Sequence, residues 1–125
     1  MIRSFEDIEA FRRAYRLSLE VHRASLEWPR HEQYGLGEQL RRASKSIPAL
    51  LAEGFGRQSV SGREFRRYLV MAVGSADEMR VWCRYGLDLG YIDETVWRRW
   101  SEAYGEIARM LQGLARSLER PRPDA

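Results

Sequence analysis

Between Tyr34 and Arg57 the apolar residues Leu36, Leu40, Ala43, Ile47 and Leu50 recur at intervals of four, three, four and three. Only a helix gathers such positions onto one stripe, so this stretch is predicted to be an amphipathic helix with its apolar side buried. Arg41, Arg42 and Lys45 fall off the stripe within about one turn, and the stretch holds two carboxylates, Glu38 and Glu53. One side packs and the other is cationic. Pro48 lies inside the helix, where it removes a backbone hydrogen bond and is expected to bend the axis at a cost of ~3 kcal/mol. Gly54 and Gly56 are expected to end it.

The same period recurs in three further stretches. Ser4 with Asp7 three positions on forms a capping-box pattern that opens a first helix running to about Leu26. That helix shows two apolar stripes. Ile8, Phe11, Tyr15, Leu19, His22 and Leu26 are assigned to the core, and Ala10, Ala14, Leu17, Val21 and Ala24 to a second surface such as another subunit. Ser61, with Glu64, caps a third helix carrying Phe65, Leu69, Ala72, Ala76, Met79, Cys83 and Gly86. After Gly90, Asp93 caps a fourth carrying Trp97, Trp100, Tyr104, Ile107, Leu111, Leu114 and Leu118. Four amphipathic helices with short connections predict an all-α, up-down-up-down four-helix bundle over residues 1–119, with 120–125 a disordered tail.

Composition narrows the function. The chain has 125 residues, enough for one domain, and no apolar run approaches the ~20 residues of a membrane span. Acids near the N-terminus and a single cysteine, Cys83, point to the cytoplasm. His22, His31 and Cys83 share no metal-ligand spacing, and Asp77 and Glu78 diverge on a helix, so no metal, cofactor or catalytic site is expected. Gly54 and Gly56 lack the preceding strand of a dinucleotide loop.

The charge does carry a signal. Twenty of the twenty-one basic residues are Arg, a bias that genome composition also produces. Residues 1–34 hold six basic and six acidic groups, residues 35–70 seven and three, and residues 71–125 eight and nine. The seven of the middle segment, Arg41, Arg42, Lys45, Arg57, Arg63, Arg66 and Arg67, are the candidate nucleic-acid-binding residues, with Tyr68 available for stacking. Arg63, Arg66 and Arg67 sit at a helix N-terminus, where the dipole opposes cations and an anion would reverse the sign. The competing reading is a solvated face with pairs such as Glu38–Arg42 and Arg63–Glu64.

Several fragments together resemble a known family: Glu32-Gln33-Tyr34-Gly35-Leu36, Gln39-Leu40-Arg41-Arg42-Ala43-Ser44, Ser46-Ile47-Pro48-Ala49, Ala52-Glu53-Gly54, Glu64-Phe65 with Ala72, Gly74, Ser75 and Glu78, and Leu89-Gly90-Tyr91-Ile92. The chain resembles the four-helix-bundle proteins encoded in intervening sequences of bacterial 23S ribosomal RNA genes. That family usually has Asn-Ile before Ala-Glu-Gly, where this chain has Leu50-Leu51. The resemblance implies a homopentamer. It also implies kinship with an accessory protein of diversity-generating retroelements that binds nucleic acid and associates with a reverse transcriptase. The expected function is therefore a non-catalytic accessory protein that assembles with itself and binds RNA or DNA. The alternative is a structural module for protein–protein interaction.

Overall fold

A computed structural model describes residues 2–58 and 61–119. Ser4 forms its capping box: Oγ accepts the Glu6 N–H at 3.1 Å, and the Asp7 carboxylate accepts the N–H of Ser4 at 3.1 Å. What it caps is a 3₁₀ turn, Phe5–Asp7, and Ile8 is extended before α1 (Glu9–Ser25) begins. A second 3₁₀ turn, Arg30–Glu32, leads to α2 (Leu36–Arg57), which is continuous through Pro48. Ser61 and Asp93 cap α3 (Gly62–Asp88) and α4 (Glu94–Ser117) as expected. Between these two helices Gly90 takes φ 81°, the left-handed conformation that glycine adopts without a Cβ penalty. The predicted disordered tail and the residues Ser59 and Val60 lie outside the described residues.

Contacts between neighbouring helices step in opposite directions along each pair. Lys45 meets His22 and Arg41 meets Ser25. Ser46 meets Ser75 and Gly54 meets Tyr68 across α2 and α3, and Arg84 meets Trp97 of α4 while Arg66 meets Glu119 just past its end. Arg13 meets Glu106 and Glu20 meets Arg99 across α1 and α4. Every neighbour is antiparallel, which is the up-down-up-down bundle. The predicted stripes of α2, α3 and α4 supply its interior: Leu40, Ile47, Leu69, Met79, Cys83, Trp100, Tyr104 and Leu111 are all buried. Burial pushes the Cys83 thiol up to about 12, so it behaves as a small apolar side chain.

Two expectations are corrected. On α1 the second stripe turns inward: Ala10, Ala14, Ser18, Val21 and Ser25 are buried, whereas of the stripe assigned to the core Ile8 is buried and Phe11 packs against the core, while Tyr15 and Leu26 are exposed. Small side chains let α1 lie close to α2, and the volume at the centre is filled by Trp100 and Tyr104 from α4. Ala14 and Val21 therefore present nothing to another subunit. Exposed apolar side chains collect on α3 instead, at Val70, Met71, Val81 and Tyr85, with Leu89 at its C-cap. The second correction concerns Gly54, which does not stop α2. A Cβ there would lie 2.6 Å from Cβ of Tyr68, so this glycine marks the closest approach of α3 to α2.

Candidate nucleic-acid interface

The connection between α1 and α2 is bolted together by side chains. Gln33 Nε2 donates to the carbonyls of Ser25 and Trp28, each at 3.0 Å, and so satisfies acceptors that the end of α1 leaves open. Arg41 reaches back from α2: Nη1 donates to Ser25 Oγ at 2.8 Å and Nη2 to the Gln33 carbonyl at 2.6 Å. Room for this reach comes from Gly37, where a Cβ would lie 2.9 Å from the Glu32 carbonyl and 3.1 Å from Arg41 Nη1. Glu32 works twice, accepting the Leu36 N–H at 3.3 Å and the Tyr91 hydroxyl at 2.8 Å. The Tyr91 bond holds the Glu32 carboxyl below the usual carboxylate range. Trp28 packs on Tyr91 with ring centroids 5.2 Å apart, over Gly86 of α3.

On this rigid corner stand cations with no carboxylate within ion-pair distance among the described residues. The side chains of Arg23, Arg30 and Arg42 make no hydrogen bond or ion pair among the described residues. Lys45 Nζ donates to Nδ1 of His22 at 2.8 Å, a neutral acceptor. Desolvation first, then Lys45, Arg41 and Arg23, push the His22 pKa down. Two exposed carboxylates, Glu27 and Glu38, share the region, and neither pairs with a cation among the described residues. Tyr34, in the connection between the second 3₁₀ turn and α2, has 91% of its surface exposed.

The other end of α2 is different. Arg57 lies 4.0 Å from Glu53, Arg67 3.2 Å from Glu64 and Arg66 2.5 Å from Glu119. Arg67, through its hydrogen bond, is the main cause of a lowered Glu64 pKa. Arg63 alone of these four has no bond or ion pair among the described residues. Tyr68 is only 7% exposed, and its ring lies under both Arg57 at 5.6 Å and Arg67 at 4.9 Å. No face of that ring remains for a base. Arg42 and Arg57 are fifteen residues apart on one helix, or ~22 Å at the α-helical rise.

The seven sequence candidates thus divide into two groups, and they differ in what their charges do. Arg41 is spent inside the fold, Arg57, Arg66 and Arg67 have carboxylate partners, and Arg42, Lys45 and Arg63 have no carboxylate within ion-pair distance among the described residues, although the Arg63 charge helps lower the Glu64 pKa. The expected Glu38–Arg42 and Arg63–Glu64 pairs are absent among the described residues. Arg23, Arg30 and Tyr34 escape a count by segment because residues 1–34 balance overall. Of the six acids in that segment Glu6, Asp7 and Glu9 lie at the opposite end of α1 from Arg23, while Glu27 and Glu32 lie at the same end.

With this geometry in view, the sequence matches the family described as 23S rRNA-intervening sequence protein over residues 6–113. The chain belongs to that family. A comparison with curated proteins finds no match. The family match takes in the whole α1–α2 corner and Tyr91, so the bolted connection lies within the family domain. Among the described residues no group of three or more His, Cys, Asp or Glu could hold a metal ion. No described helix is long and apolar enough to cross a membrane.

Proposed function

We propose that this family member is a nucleic-acid-binding accessory protein without catalysis of its own, contacting RNA or DNA phosphates through Arg23, Arg30, Arg42 and Lys45. The observation that carries this reading is the set of cations at the α1–α2 corner that have no carboxylate within ion-pair distance among the described residues. Among the described residues ten ion pairs bind Arg to Asp or Glu, and none of them involves these four residues, nor Arg16, Arg109 or Arg116, which stand apart from the corner. Phosphates supply the missing counter-charge and release their own condensed counterions. Arg63, with Arg57, Arg66 and Arg67, serves as a second and weaker contact ~22 Å along α2.

Self-assembly multiplies the effect, and the resemblance favours five copies. At +3 per chain, a ring of identical subunits would hold a polyanion at several points at once. The association with a reverse transcriptase is an expectation that comes from the resemblance alone.

The test is retention of labelled RNA and DNA across a salt series. Affinity should fall as a power law, each contacted phosphate adding about 0.7 to 0.9 to the slope. Arg42→Glu with Lys45→Glu should abolish binding, and Arg63→Glu with Arg67→Glu should weaken it less. Absence of any retention at low salt overturns the reading. In that case the exposed α3 residues Val70, Met71, Val81 and Tyr85 favour the interaction module, whose partner binding should tolerate salt.

A further inference from the structure

Within the corner, Glu32 caps α2 and holds Tyr91, Gln33 closes α1, Gly37 admits the Arg41 side chain, and Arg41 grips Gln33. Tyr34 is surrounded by these assignments and takes part in none of them. Its backbone is fixed from one side by the Arg41–Gln33 bond and leads on the other through Gly35 into α2, yet its ring is 91% exposed. Leaving an aromatic ring in water forgoes its burial, and nothing in the fold of one chain recovers that loss. A ring with two side-chain torsions on a fixed backbone loses little entropy when something stacks on it.

Resting on the nucleic-acid reading above, we propose that Tyr34 is a stacking platform for an unpaired base of a single strand, whose flanking phosphates lie on Arg30, Arg42 and Lys45. Arg30 is four residues before Tyr34, and Arg42 and Lys45 are one turn apart on α2. Along the chain the ring therefore has cations on either side of it. Alternating stacking and phosphate contact is how single strands are bound without reading their sequence. A duplex keeps its bases stacked on each other and offers only backbone to a projecting ring. The sugar is not distinguished by this arrangement, so single-stranded RNA and DNA share the chemistry.

The experiment uses the full chain and fluorescence anisotropy with four probes: a twenty-nucleotide oligo(U), the matching oligo(dT), a duplex of equal length, and inorganic polyphosphate as competitor. Wild type should prefer both single strands to the duplex. Tyr34→Ala should weaken single-strand binding roughly 5- to 100-fold, while competition by polyphosphate is unchanged and Tyr34→Trp binds like wild type. Unfolding and sedimentation of Tyr34→Ala should match wild type. Single-strand binding unaffected by Tyr34→Ala, or equal binding of the duplex, overturns the platform and leaves the phosphate reading standing. A changed sedimentation coefficient with weaker polyphosphate binding places Tyr34 in a subunit contact and also overturns it. If wild type binds neither the oligonucleotides nor polyphosphate, the nucleic-acid reading and the platform fall together.

Discussion

Arg41 Nη2 donates to the backbone carbonyl of Gln33 at 2.6 Å, while Nη1 of the same guanidinium reaches Ser25 Oγ at 2.8 Å, joining the end of α1 to the connection before α2. Hydrogen bonds from a charged donor contribute about 1.5–3 kcal/mol each, and a partly buried carbonyl left open adds a penalty. Arg41→Ala is expected to lower unfolding stability by about 2 kcal/mol, and Arg41→Lys, which cannot fork, to recover less than half. Urea unfolding measures both. A loss below about 0.5 kcal/mol would show that Trp28 on Tyr91 holds the corner without the guanidinium.

Glycine replacements separate close packing from open space. At Gly54 a Cβ would lie 2.6 Å from the Tyr68 Cβ and 3.1 Å from the Phe65 ring, so Gly54→Ala must push α3 away and should cost about 1–3 kcal/mol. At Gly74, inside α3, a Cβ meets nothing within 4 Å. Gly74→Ala should therefore raise stability by roughly 0.5–1 kcal/mol through helix propensity. Thermal midpoints moving in the same direction for both variants would contradict the assigned packing.

Gly54 also shows where sequence reading stops. Period and cap chemistry found all four helices, the caps of α3 and α4 at Ser61 and Asp93, and most of the core, because both are local properties; the capping box at Ser4 formed on a 3₁₀ turn ahead of α1. A glycine near the end of a helical stretch reads as a terminator, and only the crossing of α3 reveals that it is a contact point. The α1 stripes failed for a related reason: two apolar faces are visible in the sequence, but which one points inward depends on the bulk supplied by Trp100 and Tyr104 of a distant helix. Of the candidate site, Arg42, Lys45 and Arg63 were legible as charge. The inward turn of Arg41 was not, since it needs Gly37, Ser25 and Gln33 brought together by the corner.

His22 links stability to pH. Its folded pKa is depressed below the ordinary value near 6.5 by desolvation and by Lys45, Arg41 and Arg23. A depressed base binds protons more readily when unfolded, so its contribution is fully present above about pH 6.5 and is lost as pH falls below it. Wild-type stability should thus drop between pH 7.5 and 5.5, and His22→Gln should flatten that part of the profile. Parallel profiles for the two proteins would show that Lys45 moves aside from a protonated ring at no cost.

The exposed apolar residues of α3 define the last expectation. Val81 and Tyr85 are one turn apart, 50% and 53% exposed, beside Trp97 of α4 in an open groove of about 530 Å³. Arg80 and Arg84 flank this groove together with Asp77 and Asp88, so its rim carries both signs of charge and suits a self-complementary contact. Burying such a patch favours association through apolar area, which salt does not weaken. Wild type is expected to sediment as a multiple of its 14.7 kDa chain, and Val81→Asp to shift it to monomer with helicity intact, because this side chain does not enter the core. A monomeric wild type would remove self-assembly from the functional reading. An assembly that survives Val81→Asp would place the subunit contact on another face, with the exposed Tyr15 and Leu26 of the α1 region the next surface to charge.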